Sequence, residues 1–232
     1  MSAQEFAPGL VIQHFVPPLR LGDFKAIAFD MDSTLISIEC IDEIADAVGK
    51  KAEVAAITEA AMRGEITDFK DSLRRRVALL KGVPAESLQE VYDQRLKINP
   101  GAPELINAAK AAGLQTLLVS GGFTFFADRV RERLGMHEAH SNTLEIEGGL
   151  LTGRVLGDIV DGEAKKQHLL RLCERIGCDP RQSIAVGDGA NDLLMMGVAG
   201  LSVAYHAKPK VREQAMVAIN DGGLDRVLAL MA

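Results

Sequence analysis

The spacing of hydrophobic and polar positions changes twice along the chain. Residues 1–22 carry no regular period, and Pro8, Pro17 and Pro18 interrupt any long element. They read as an extension with at most one short edge strand. Ala26 to Phe29 is a short continuous apolar run, as expected of a strand covered on both faces. From Glu39 to Lys97 the period becomes helical in "ECIDEIADAVG", "AEVAAITEAAMRG", "FKDSLRRRVALLKG" and "AESLQEVYDQRLK". Beyond Asn99-Pro100-Gly101, helical stretches alternate with "QTLLVS", "QSIAVGD", "GLSVAY" and "MVAIN", the pattern of a parallel sheet with helices on both faces. "NTLEIEGGLLTGRVLG" interrupts that alternation and predicts a β-hairpin turning at Gly148-Gly149. The expected fold is α/β. It has an extension over 1–22, a discontinuous core over 23–36 and 99–232, and an inserted four-helix cap over 37–98.

Ligands of open parallel sheets sit beyond the carboxyl ends of the strands, so the residues left there matter most. The first strand leaves Asp30 and Asp32, two residues apart and therefore aimed the same way. Two carboxylates that close oppose each other unless a cation or a shared proton relieves them. "TLLVS" leaves Ser120 before Gly121-Gly122, and "SIAVGDGAND" leaves Asp188, then Asn191 and Asp192 on the first turn of the next helix. Carboxylates suit Mg²⁺, whereas a hydroxyl beside glycine-freed backbone N–H groups suits a phosphate oxygen. In "VDGEAKKQHLL", Asp161 is a plausible N-cap, which puts Lys165 in the opening turns of a helix. A cation there is opposed by the helix dipole, and an anion in front of the helix would explain it. Each signal alone has an ordinary reading as a cap, a turn or a solvated lysine. Their occurrence in order, each at its expected place, points to phosphate chemistry.

Composition narrows the classes. The formal net charge is −6 and the pI about 5.4, with no Trp and two Tyr. Neither a basic field nor a stacking surface for nucleic acid is present. No apolar run approaches the roughly 18 residues of a membrane span. The N-terminus lacks a basic segment followed by an apolar one. Three cysteines without metal-type spacing fit a reducing cytoplasm.

"DMDST", "SGG", the lysine of "GEAKK" and "GDGAND" resemble, in order, the four motifs of the haloacid dehalogenase superfamily, over about residues 24 to 230. Within it, "DMDSTLISIECIDEIA", "SLRRRV", "LLVSGGF" and "VGDGANDLLMM" are similar to the phosphoserine phosphatase branch. The resemblance implies a Rossmann-like parallel sheet and Mg²⁺-dependent hydrolysis of O-phospho-L-serine through an aspartyl-phosphate. It implies Asp30 as nucleophile and Asp32 as general acid and base. It also implies Mg²⁺ held by the side chains of Asp30 and Asp188 and the backbone carbonyl of Asp32. Ser120, Gly121 and Lys165 would cradle the phosphate, Asn191 would contact substrate, and Asp192 would orient the site from behind the ligands. Many bacterial relatives carry a regulatory domain in front. Only about 22 residues precede the first strand here, so the expectation is that such a domain is absent or vestigial.

The serine end of the substrate calls for one base and one acid. On "FKDSLRRRVALL" the inward stripe is Leu73, Val77 and Leu80. Phe69 and Arg76 share one edge of it, while Arg74 and Arg75 point elsewhere. Arg76 is thus placed to fork onto a carboxylate, and the resemblance assigns it the same role. Glu39 as ammonium partner is implied by the resemblance alone, for the helical wheel puts it opposite the stripe of Ile41, Ile44 and Val48. The competing readings are a related phosphatase or phosphotransferase acting on another small phosphomonoester, and a non-catalytic phosphate-binding protein.

Overall fold

The computed structural model describes residues 3–62 and 65–232. A nine-stranded sheet carries the chain. Its strands are β1 (Gln4–Ala7), β2 (Leu10–Ile12), β3 (Ala26–Phe29), β4 (Gln115–Phe123), β5 (Glu138–Glu147), β6 (Leu150–Leu156), β7 (Ser183–Gly187), β8 (Leu201–Tyr205) and β9 (Val217–Ile219). Their order is β1-β2-β9-β8-β7-β3-β4-β5-β6. The six strands from β9 to β5 run parallel, and the edge pairs β1–β2, β2–β9 and β5–β6 are antiparallel. The mixed α/β architecture, with a mostly parallel sheet, is the one expected.

Period-two alternation divides the core. Ile27 and Phe29 face one layer with Leu105, Ile106, Phe126 and Val130, from α5 (Ala102–Ala111) and α6 (Thr124–Leu134). Ala26 and Ala28 face the other, against Leu169, Leu172 and Met195 of α7 (Gly162–Ile176) and α8 (Leu193–Val198). The small alanines let α7 approach the centre of the sheet closely, and the buried Lys165 rides on that helix.

Between β3 and α5 the chain forms α1 (Cys40–Ala47), α2 (Lys51–Met62), α3 (Phe69–Ala78) and α4 (Glu86–Gln94). The segments entering and leaving this insertion bridge at Ile36 and Ile98. The Asn99 side-chain amide donates to the carbonyls of Thr34 at 2.8 Å and Ile36 at 3.1 Å. The insertion is not held only at its roots. Gly82 N–H donates to Leu151 and Leu151 N–H to Val83, both at 2.8 Å, so the loop between α3 and α4 pairs with the β5–β6 hairpin.

Three details differ from the sequence reading. The N-terminal segment supplies two strands, not at most one, and Leu10 and Ile12 are fully buried. β2 pairs with β9, about 200 residues away, a partner that no local pattern reveals. β4 and β5 are longer than "QTLLVS" and "NTLEIE". Ser120 to Phe123 stays extended, and Glu138 to Ala139 pairs with Leu117 to Leu118 although the segment lacks apolar alternation. Finally, Asn191 and Asp192 lie on a short 3₁₀ turn, Ala190–Asp192, ahead of α8.

Candidate active site

β3 lies between β7 and β4, so the segments leaving these three strands are neighbours at one edge of the sheet. This topology gathers Asp30, Ser120 and Asp188 around a cavity of about 770 Å³, which Asp32, Glu39, Phe69, Arg76, Gly121 and Asn191 also line. Lys165 and Asp192 are fully buried behind its floor.

Asp30 continues β3, its N–H donating to the Val186 carbonyl at 2.9 Å. Its Oδ1 accepts from Met31 N–H at 2.7 Å and pairs with Lys165 Nζ at 2.8 Å. Oδ2 takes no hydrogen bond among the described residues. Lys165 also pairs with Asp192 Oδ1 at 2.7 Å. Burial opposes its charge, yet these two carboxylates hold its pKa above the ordinary lysine range. The dipole conflict expected at the head of α7 is thus answered by two acids in the protein itself. Asp161 caps that helix, accepting from Ala164 N–H at 2.8 Å.

One lysine does not neutralise the site. Asp30, Asp188 and Asp192 each offer an oxygen within 4.8 Å of the others, a set that could hold a metal ion. Asp192 is already engaged: Oδ1 takes Lys165, and Oδ2 accepts from Asp188 N–H at 3.2 Å and Gly189 N–H at 3.0 Å. Burial and then the Asp192 charge raise the Asp30 carboxyl well above its usual range. Burial, Asp192 and Glu39 raise Asp188 to about 7. A divalent cation would reverse this shared strain, so the donor set fits a hard cation.

Asp32 Oδ1 accepts from Cys40 N–H, the first residue of α1, at 3.4 Å. Burial, and next the charge of Glu39, raise it to about 7. Gly122 makes room for this carboxylate, since a Cβ there would meet Asp32 Oδ2 at 2.7 Å. Gly121 does the same for the insertion, since a Cβ would lie 2.9 Å from Phe69 Cζ. Lys70 of α3 adds an ion pair to Asp161 at 3.2 Å.

Arg76 and Glu39 both reach the cavity. Arg76 donates only to its own helix, from Nε to the Ser72 carbonyl at 3.4 Å, and has no ion pair among the described residues. Burial lowers its pKa, while Asp42, Glu39 and Asp32 act to raise it. Glu39 is the N-cap of α1, a position that a helical wheel does not place.

Four contributors escaped the sequence reading. Thr34 Oγ donates to Asp188 Oδ1 at 3.0 Å. Asn142 donates to the Gly121 carbonyl at 2.8 Å and accepts from Val160 N–H at 2.8 Å, fixing the loop beside Ser120. Asp42 and Lys208 line the cavity as further charges. The first two act through tertiary hydrogen bonds that spacing does not encode. Asp42 lies 100° round the helix from Ile41, off the inward stripe, so the wheel does not point to it.

A family model described as "haloacid dehalogenase-like hydrolase" matches residues 24–200. The chain is 66% identical over 235 residues to a phosphoserine phosphatase of Polaromonas sp. (strain JS666 / ATCC BAA-500), covering 100% of both. A solved substrate-bound phosphoserine phosphatase is 39% identical with a TM-score of 0.83, over 90% of this chain and 99% of that one. An unliganded probable phosphoserine phosphatase from Vibrio cholerae is 46% identical with a TM-score of 0.82, over 92% of this chain and 66% of its own length. The chain belongs to the haloacid dehalogenase-like hydrolase family and groups there with the phosphoserine phosphatases.

Proposed function

We propose that the protein hydrolyses O-phospho-L-serine to L-serine and phosphate with Mg²⁺ as cofactor. The observation that carries this reading is the pairing of two unlike ends in one cavity: a phosphate end lined by acids and a hydroxyl, with Lys165 buried behind them, and an amino-acid end with Arg76 and Glu39. Asp30 attacks phosphorus, and Asp32 gives its proton to the departing serine oxygen and later takes one from water. Ser120, Gly121 and Lys165 hold the phosphate oxygens, and Asn191 contacts the substrate. Asp30, Asp188 and the Asp32 carbonyl would hold Mg²⁺, with Asp192 fixing Lys165 and the loop of Asp188. The ion supplies charge neutralisation for the transferring phosphoryl group. Residues 37–98 act as a cap on a core of 23–36 and 99–232, closing over the site to exclude water. Three free cysteines accord with a cytoplasmic setting. Among the described residues no helix is long and apolar enough to cross a membrane.

Specificity tests the reading. Arg76→Ala removes a charge-assisted fork on the substrate carboxylate, worth about 1.5–3 kcal/mol, or roughly ten- to a hundred-fold in kcat/KM. The loss is expected in the ratio of phosphoserine to p-nitrophenyl phosphate, because the aryl ester has no carboxylate. Lys at 76 should restore little, since an ammonium lacks the planar fork. An unchanged ratio would reject Arg76 as the carboxylate reader.

The raised carboxyls also set a pH dependence. Burial and the Asp192 charge push the Asp188 carboxyl up from an ordinary 3.8 to about 7. Between those values the folded state binds more protons than the unfolded one. Stability of the metal-free protein therefore falls as pH rises through this window and levels off above it. Mg²⁺ competes with the same protons. At one fixed, sub-saturating Mg²⁺ concentration, its stabilisation in thermal melts should be larger at about pH 8 than at about pH 5.5. Equal shifts at both would argue against these aspartates as the ligands.

A further inference from the structure

We propose that Ser33 is a positioning residue for Glu39 and thereby for recognition of the substrate ammonium. The inference rests on Glu39 being the ammonium partner, as proposed above. Ser33 follows Asp32 directly and has a φ of +56°, in the left-handed region that an L side chain seldom adopts. Among the described residues, His14 and His206 are the other non-glycines there, and only Ser33 of the three lines the cavity. Such a conformation persists where the surroundings over-determine it, and it often marks a functional constraint. Here the turn is closed by Ser33 N–H donating to the Ile38 carbonyl at 3.2 Å. The turn brings Ser33 Oγ to 2.6 Å from Glu39 Oε1.

Glu39 needs such a partner. It is exposed, and its side chain makes no capping hydrogen bond to the head of α1. Ser33 is the one group that hydrogen-bonds its carboxylate among the described residues. A free glutamate would lose rotamer freedom on gripping an ammonium, which weakens binding. A hydroxyl that already holds Oε1 reduces that loss and leaves Oε2 for the ligand. The geometry therefore accounts for a serine where glycine would fit the backbone more easily.

Two substitutions separate the hydroxyl from the backbone. Ser33→Gly removes both hydroxyl and strain, whereas Ser33→Ala removes the hydroxyl and keeps the strain. Each is assayed with phosphoserine and with O-phospho-3-hydroxypropionate, which is phosphoserine without its ammonium. The ratio of kcat/KM for the two substrates is expected to fall about three- to ten-fold in both variants alike, mainly through KM. The glycine variant should melt no lower than wild type. An unchanged ratio in both overturns the inference. So does a fall confined to the alanine variant, which would assign the effect to backbone strain. Glu39→Gln distinguishes the two levels. If it lowers the ratio while the Ser33 variants do not, only the positioning role falls; if it leaves the ratio unchanged, Glu39 and Ser33 lose their roles together.

Discussion

Replacing Asp30 with Asn is expected to abolish turnover, by at least about 10⁴-fold in phosphate release. An amide has no free oxygen charge with which to accept a phosphoryl group, and it is a poorer ligand for a hard cation. The loss should not come from unfolding. Asp30 is buried beside Asp192 and Asp188, and burial with these charges holds its carboxyl well above the usual range. Ionised Asp30 therefore costs stability in the metal-free protein, and a neutral isostere relieves part of that cost even though Lys165 keeps only Asp192. The Asn variant should melt at or above wild type without Mg²⁺. Acid-quenched enzyme given labelled phosphoserine should carry phosphate on Asp30 in the wild type and none in the variant. Phosphate trapped on any other residue would defeat the assignment, as would substantial turnover by the variant.

The aspartates could be read from sequence because a parallel strand covered on both faces is apolar throughout. The first polar residue after "AIAF" or "IAVG" must then stand at the sheet's carboxyl edge. Arg76 could be separated from Arg74 and Arg75 for a similar reason, since Leu73, Val77 and Leu80 are buried and fix the helix face. What stayed illegible is tertiary. Thr34 reaches Asp188 across 154 positions, and Asn142 ties Gly121 to Val160. Lys165 shows the limit most clearly. The sequence revealed a cation at the wrong end of a helix, but only the fold shows it fully buried between Asp30 and Asp192. The N-terminal segment gives two strands where at most one was expected, because three or four residues carry too little pattern and the partner of β2 lies at the far end of the chain.

Asp32→Asn should slow the enzyme by about 10²- to 10⁴-fold, and the loss should depend on the leaving group. Burial and the neighbouring Glu39 raise Asp32 to about 7, so near neutral pH both its protonated and ionised forms are populated. The protonated form can donate to the serine oxygen, which departs badly as an alkoxide. The ionised form can then take a proton from the water that attacks the phosphoenzyme. Asparagine keeps the shape, and its amide oxygen can still accept from Cys40 N–H, but it has no transferable proton. Phosphoenzyme formation from phosphoserine should therefore suffer strongly. Formation from p-nitrophenyl phosphate should suffer less, because a nitrophenolate leaves without a proton. Hydrolysis of the intermediate should be slow from either substrate, so the aryl ester should give a burst of nitrophenolate followed by a slow steady state. Rapid-quench measurement of both phases with both substrates checks this. If formation slows equally for the two leaving groups, Asp32 is not the proton donor, and its raised pKa reflects only a crowded acidic site.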